Sequence, residues 1–128
     1  MKKMVLLALM SVLVLVFAGC RDNSKPQGMA DATYDIGIQA LEALDKYLDG
    51  AMNVRQLDNT LGELHEKIQA LNFTDRSEST NNVLVSSSIS HARDPLISIM
   101  FDDGFGNPTD VIDSRNKLAE LLEKEARE

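Results

Sequence analysis

The feature that most constrains the fold is a row of apolar residues near the middle of the chain, spaced alternately three and four residues apart. Its members are Val54, Leu57, Leu61, Leu64, Ile68 and Leu71. This spacing places all of them on one narrow side of an α-helix, which has about 3.6 residues per turn. A strand would instead alternate with a period of two. The row therefore predicts a helix that packs along a single line, with Asn53 as its N-cap.

A second amphipathic segment precedes this row, over residues 31–49. Its apolar residues cover more than half of a helical wheel, which predicts a helix buried against more than one neighbour. Because so wide an apolar arc can exceed what a small domain buries, Tyr34, Ile38 and Tyr47 are our candidates for contacts with a partner protein. Gly50 stands where a helix commonly ends in a left-handed residue.

The segment over residues 83–101 allows two interpretations. A three-four alternation favours a helix, and it is formed by Val85, Ile89, Ala92, Leu96 and Ile99. The β-branched residues between serines leave a β-hairpin open as the alternative. We favour the helix, with Asp75 at its start and a kink at Pro95, because proline lacks an N–H and clashes with the preceding turn.

A last helix is predicted after Asn107, with Asn107 as its cap and Pro108 at its first position. Its inward residues are Val111, Leu118, Leu121 and Leu122, and Glu123 and Arg127 are spaced to pair on its outer side. Helices joined by short connections favour antiparallel packing. We therefore predict an all-α fold, a small antiparallel helical bundle of about four helices, over residues 31–128.

The N-terminus has the pattern of a secretory signal peptide over residues 1–19. Lys2 and Lys3 precede an apolar run at residues 4–18, which is shorter than the roughly 20 residues that a membrane-spanning helix needs. An uncleaved membrane anchor is the alternative. The run ends in Ala18 and Gly19 before Cys20, the only cysteine of the chain, which therefore has no partner for an internal disulfide.

The sequence Phe17-Ala18-Gly19-Cys20 resembles the lipobox of bacterial lipoproteins, although leucine usually stands at the position of Phe17. The resemblance implies that Cys20 carries a thioether diacylglycerol and an amide-linked acyl chain, and that it begins the mature protein. It also implies a location at the extracytoplasmic face of the cell membrane. More than one acyl chain gives a stable anchor. Residues 20–30 are then predicted to form the lipidated N-terminus and a flexible tether.

Two further stretches resemble small helical lipoproteins of Gram-positive bacteria. They are Tyr47-Leu48-Asp49-Gly50 and the segment at residues 115–122, whose sequence is RNKLAELL. The resemblance covers most of the predicted mature chain. It implies a helical bundle and points to no activity.

Composition and motifs exclude several functional classes. A chain of 128 residues is too short for the two lobes of a solute-binding protein. Its net charge of -7 is opposite in sign to the positive charge expected of a nucleic-acid binder. His65 and His91 have no partners at metal-ligand spacing, and the acidic turn at residues 102–110 does not match an EF-hand loop. No catalytic serine motif or phosphate-binding glycine loop occurs. We expect no metal, no cofactor and no enzymatic activity.

The function predicted from these observations is protein binding at the cell envelope. An anchored bundle with an exposed apolar groove would hold another envelope protein. A phage or plasmid exclusion lipoprotein is one concrete form of this function. An envelope enzyme is the alternative from a different class, and it predicts a concave pocket with titratable groups of shifted pKa. A purely structural spacer predicts neither a pocket nor an apolar patch.

Overall fold

The computed structural model describes residues 25–101 and 107–128. The predicted signal peptide, Cys20 and most of the acidic turn lie outside these residues. The described part contains four α-helices and no strand, and we number the helices in chain order. They are α1 (Asp31–Leu48), α2 (Val54–Gln69), α3 (Arg76–Met100) and α4 (Pro108–Leu121).

The helices pack as a bundle in which each contacts the next one along the chain. Helix α4 returns to α1, and α1 also touches α3, so that α1 has three helical neighbours. Helices α2 and α4 lie at opposite corners. Because the connections are short, consecutive helices run antiparallel. The all-α bundle predicted from the sequence is confirmed.

The predicted apolar rows meet in one core. The buried row of α2 consists of Leu57, Leu61, Leu64 and Ile68, while Val54 and Leu71 at its two ends are half-buried. Helix α1 contributes Ile36, Ala40, Leu41, Ala43 and Leu44 to the same core. The facing side chains of α3, of α4 and of its C-cap complete it, and they are Val85, Ile89, Ala92, Leu96, Val111, Leu118, Ala119 and Leu122. Close packing of such side chains supplies most of the stability of a small domain.

The predicted helix ends are also confirmed. The Asn53 side chain accepts a hydrogen bond from the backbone N–H of Gln56, and the Gln56 side chain accepts one from the backbone N–H of Asn53. The side chains of Asp75 and Asn107 cap α3 and α4 by each accepting one hydrogen bond, from the backbone N–H of Glu78 and of Thr109 respectively. Helix α1 ends before Gly50, whose φ of 78° lies in the left-handed region.

Helix α3 is continuous over residues 76–100 and includes Pro95. Residues on both sides of the proline are therefore helical, and no hairpin forms over residues 83–101. The helix is favoured over the hairpin because it buries Val85 and Ile89 before Pro95 and Leu96 after it on one side. The kink at Pro95 stays a prediction.

Residues 25–30, which we call the N-terminal clamp, pack against the bundle instead of extending from it. Pro26 and Met29 are buried. The side-chain amide of Asn81 in α3 donates to the carbonyl oxygen of Gly28 over 2.8 Å. Gly28 has a φ of 77°, which favours glycine. Residues 25–30 therefore belong to the folded part, although the sequence predicts a flexible tether there and a domain boundary at residue 31.

Residues 122–128, which we call the C-terminal segment, turn back along the bundle after α4 ends at Leu121. Glu123 has a φ of 54°, which marks the change of direction. The predicted pair between Glu123 and Arg127 is wrong, because the helix ends before its spacing can bring the two together. Arg127 instead contacts Asp45 and Asp49 of α1.

Candidate functional site

The three predicted anchor residues of α1 do not line an open groove. Tyr34, Ile38 and Tyr47 are half-buried and pack against the core. The ammonium group of Lys124, in the C-terminal segment, lies 5.8 Å from the centre of the Tyr34 ring. The wide apolar arc of α1 is therefore used inside the molecule, since three helices and the C-terminal segment cover it.

Exposed large apolar side chains of the described residues lie on α3 and at its C-cap. Their exposed fractions are 63% for Val83, 46% for Leu84, 48% for Ile97 and 72% for Phe101. Ile97 and Phe101 lie about one helical turn apart, at the C-terminal end of α3 and at its C-cap. We call Ile97 and Phe101 the α3 outer row. It was not predicted from the sequence, because Ile97 falls outside the three-four alternation of buried residues and Phe101 follows its last member.

A groove of about 670 Å³ runs between α2, the α2–α3 loop and α3. Both histidines of the chain contribute to it, His65 from α2 and His91 from α3, although no shared role was predicted for them from the sequence. We call it the α2–α3 groove. Its lining residues are His65, Gln69, Leu71, Asn72, Phe73, Ser79, Asn82, Val83, Ser86, Ser87, Ser90 and His91.

No aspartate, glutamate, lysine or arginine lines the α2–α3 groove. The neighbouring grooves differ. The groove between α1 and α2 contains Glu42, Lys46, Glu63 and Lys67, and the groove between α3 and α4 contains Asp94, Lys117, Glu120 and Glu123. The α3 side of the α2–α3 groove belongs to residues 79–92, a run with no formally charged side chain in a chain that is 26% charged, and the α2 side adds no charge. This uncharged run is the sequence signal that could have located the groove.

Asn82 holds the floor of the α2–α3 groove in place. Its buried side-chain amide donates to the carbonyl oxygen of Ile68 over 3.1 Å, and its side-chain oxygen accepts from the Thr33 hydroxyl over 2.8 Å. These bonds join α3 to α2 and α1. Because buried polar groups are costly when unpaired, this satisfied pair fixes the relative positions of the three helices.

The other polar side chains of the groove are available to a ligand. Within the part of the chain that the structure describes, they make no hydrogen bond or ion pair. They comprise two amides, four hydroxyls and two imidazoles, from Gln69, Asn72, Ser79, Ser86, Ser87, Ser90, His65 and His91. The groove thus combines a fixed floor with walls whose donors and acceptors face solvent.

Beyond the groove, an ion pair joins the two helices that form it. The Arg93 guanidinium of α3 binds both carboxylate oxygens of Asp58 in α2, at 2.9 and 3.3 Å. The hydrogen bond to Asp58 raises the pKa of Arg93 above its usual value. This two-point geometry holds the guanidinium and the carboxylate in one plane, so the pair supports the spacing of the groove walls.

A second charged cluster holds the C-terminal segment to α1. Arg115 is buried and binds both carboxylate oxygens of Asp45, at 2.9 and 3.2 Å. The Asn116 side chain donates to the backbone carbonyl of Arg127 and accepts from its N–H, at 2.8 and 2.7 Å. The hydrogen bond from Arg127 lowers the pKa of the Asp49 carboxyl below its usual value. This cluster could not be predicted from the sequence, because its partners are distant in the chain.

The described residues include no group of three or more His, Cys, Asp or Glu that could hold a metal ion. No helix within residues 25–101 and 107–128 is long and apolar enough to cross a membrane. Comparisons with protein-family models, curated proteins and solved structures found no match to this chain. A function for the chain therefore rests on its own residues and their geometry.

Proposed function

We propose that the chain is an exported lipoprotein, anchored through Cys20 at the extracytoplasmic face of the cell membrane, whose bundle binds another protein of the envelope. The anchor is supported by the signal-like apolar run and by the position of the only cysteine directly after Ala18 and Gly19. A diacylated cysteine would hold the protein at the membrane stably.

The N-terminal clamp defines which end of the bundle lies near this anchor. Gly28 is bound to Asn81, and the adjacent Asn82 is bound to Ile68, so the start of α1, the end of α2 and the start of α3 share one end. Only residues 20–24 remain between Cys20 and the clamp, and their greatest reach is about 17 Å. That end is therefore the membrane-proximal end of the anchored protein.

The exposure of the α3 outer row is the observation that best supports the proposed protein binding. Ile97 and Phe101 lie at the membrane-distal end of α3, and both are largely exposed. Aromatic and aliphatic side chains of this kind form the centres of protein interfaces. Burial of Phe101 against a partner would contribute roughly 1.5–3 kcal/mol. The partner surface is therefore expected to be apolar and to approach α3 from outside the membrane.

The anchor is tested by the variant Cys20→Ala in the native cell. We expect this variant to lose the lipid and to leave the membrane fraction, because no other cysteine can replace the attachment site. The control variant Ser24→Ala leaves the lipobox intact and should fractionate with the membrane. A Cys20→Ala protein that reaches the mature size and stays with membranes as tightly as the parent would contradict the anchor.

The partner is tested by a photo-crosslinking amino acid placed at Phe101 in the native cell. The matched control carries the same amino acid at Asn59, an exposed position on α2. We expect a protein adduct of one defined mass from position 101 and none from position 59. Adducts of equal yield from both positions, or lipid adducts alone, would contradict a docking surface on α3.

A further inference from the structure

The α2–α3 groove combines free hydrogen-bonding side chains with the absence of formal charge. The protein partner proposed above does not account for this combination, since its docking surface is centred on Ile97 and Phe101. We propose that the α2–α3 groove is a separate binding site for a neutral oligosaccharide.

The absence of acidic and basic side chains from the groove indicates which class of ligand it would bind. A charged side chain that is covered by a neutral ligand loses water and gains no opposite charge, which is unfavourable. A site for a neutral ligand therefore benefits from a lining without carboxylates, ammonium groups or guanidinium groups. The α2–α3 groove has such a lining, whereas the grooves on either side of it contain acids and lysines.

The free polar groups match the surface of a sugar. Each sugar hydroxyl both donates and accepts hydrogen bonds, and the side chains that can do both are amides, hydroxyls and neutral imidazoles. Gln69 and Asn72 provide amides at one wall, and Ser86 and Ser90 provide hydroxyls on α3. None of these four side chains is bonded elsewhere within the described residues, so binding need not break an internal bond.

Apolar side chains complete the match at one part of the groove. Leu71 and Phe73, from the loop between α2 and α3, line it together with Val83. The C–H face of a pyranose ring is apolar and can pack on an aromatic face. A sugar would thus place a C–H face against Phe73 and its hydroxyls against the serines and amides.

The shape of the groove favours an oligosaccharide over an extended peptide. The lining residues of α3 extend from Ser79 to His91, a length of about 18 Å along the helix. An extended peptide binds most readily by adding to an exposed strand edge, and the described residues contain no strand. Peptides are also held by deep apolar pockets, whereas Val83, an apolar side chain of this groove, is 63% exposed and so lies at a shallow position.

The proposal is tested by titrating the folded protein with chitotetraose, cellotetraose and maltotetraose and recording its backbone amide chemical shifts. We expect at least one of these neutral tetrasaccharides to give saturable shifts at residues 69–73 and 83–91. A capped, uncharged hexapeptide of alternating serine and valine is titrated in parallel and should leave these residues unchanged.

A matched pair of serine variants locates the site. Ser86 lines the α2–α3 groove, whereas Ser88 lies two residues further along α3 and lines the groove on the other side. We expect Ser86→Ala to weaken binding of the active sugar by about fivefold, through loss of one hydrogen bond. Ser88→Ala should leave the affinity unchanged, and circular dichroism should show that both variants retain the fold.

Three outcomes would overturn the proposal. The first is that none of the tetrasaccharides shifts residues of the groove at millimolar concentration. The second is that the sugar changes the amide chemical shifts of these residues but binds Ser86→Ala and Ser88→Ala with the same affinity as the parent protein. The third is that the neutral hexapeptide, and no sugar, shifts them, which would assign the groove to a peptide.

Discussion

Asn82 links three helices through two buried hydrogen bonds, one from the Thr33 hydroxyl and one to the carbonyl oxygen of Ile68. We expect Thr33→Val to lower the free energy of unfolding by about 1–3 kcal/mol, because it leaves the Asn82 oxygen buried without its donor. Asn82→Leu should also be destabilising, since it leaves the Thr33 hydroxyl unpaired. Urea denaturation of each variant measures these losses.

The double variant Thr33→Val/Asn82→Leu distinguishes a coupled pair from two separate sites. Each single variant leaves the other side chain of the pair buried without its hydrogen-bond partner, whereas the double variant removes both side chains. The double variant should therefore lose less free energy of unfolding than the two single variants lose in sum. Thr80→Val is the control, since the hydroxyl of Thr80 is exposed and bonds only to the backbone of Arg76. Additive losses at Thr33 and Asn82 would contradict the coupling.

At the scale of one element, Pro95 lies inside α3 although proline is unfavourable within a helix. It provides no N–H for the carbonyl oxygen of His91, and its ring crowds the preceding turn. We expect Pro95→Ala to keep the helical content and to unfold at the same or a higher urea concentration, with a gain of up to about 3 kcal/mol. Far-ultraviolet circular dichroism and urea denaturation measure both quantities.

The gain in the free energy of unfolding of Pro95→Ala depends on whether α3 can straighten while its apolar side chains stay buried. Ala92 and Leu96 are fully buried on either side of the proline. If the chain needs a bend there to keep both in the core, alanine will relieve little strain. A clear loss of stability in Pro95→Ala would show that proline fixes a bend on which the packing depends.

The C-terminal segment is held to α1 partly through the Asp49 carboxylate, so we expect its attachment to depend on pH. The hydrogen bond from Arg127 holds the pKa of Asp49 below its ordinary value of 3.8. A carboxyl with a lowered pKa in the folded state stabilises that state above its ordinary pKa, and the contribution is lost as pH falls through the lowered value. We therefore expect the segment to loosen below about pH 4, as measured by the amide chemical shift of Arg127.

Two variants separate this contact from general acid unfolding. Asp49→Asn removes the titrating group and should shift the Arg127 amide at neutral pH towards its acid position. Asp35→Asn alters an exposed carboxyl of the same helix that makes no hydrogen bond or ion pair with the segment within the described residues, and it should leave that amide unchanged. A midpoint for Asp49 at or above its ordinary pKa would contradict the contact.

The elements could be predicted from the sequence because their signals are local. Asn53, Asp75 and Gly50 each act on backbone groups within a few residues, and the row in α2 repeats at helical spacing. The cluster of Arg115 and Asp45 could not be predicted in this way, since its members are distant in the chain and meet only after the helices pack. For the same reason, periodicity alone could not show which grooves would hold charge.

At the scale of the whole molecule, the N-terminal clamp would connect the proposed anchor to the orientation of the domain. Pro26 and Met29 are buried, so the chain is held to the bundle before α1 begins. With Cys20 lipidated as proposed, residues 20–24 reach at most about 17 Å and would keep the proximal end close to the bilayer. The α3 outer row, at the distal end of α3, would then lie on the side of the domain away from the membrane.

A fluorescent label at either end of α2 tests this orientation in membranes that contain the lipidated protein. Ala70 lies at the proximal end and Ala51 at the distal end, and both are exposed. Because α2 is about 24 Å long, energy transfer from a label at Ala70→Cys to a bilayer dye should be stronger than from one at Ala51→Cys. Inserting about ten glycine and serine residues after Ser24 should remove the difference, since a long flexible linker no longer restrains the domain. Equal transfer from both labels without the insertion would show that the clamp does not orient the domain.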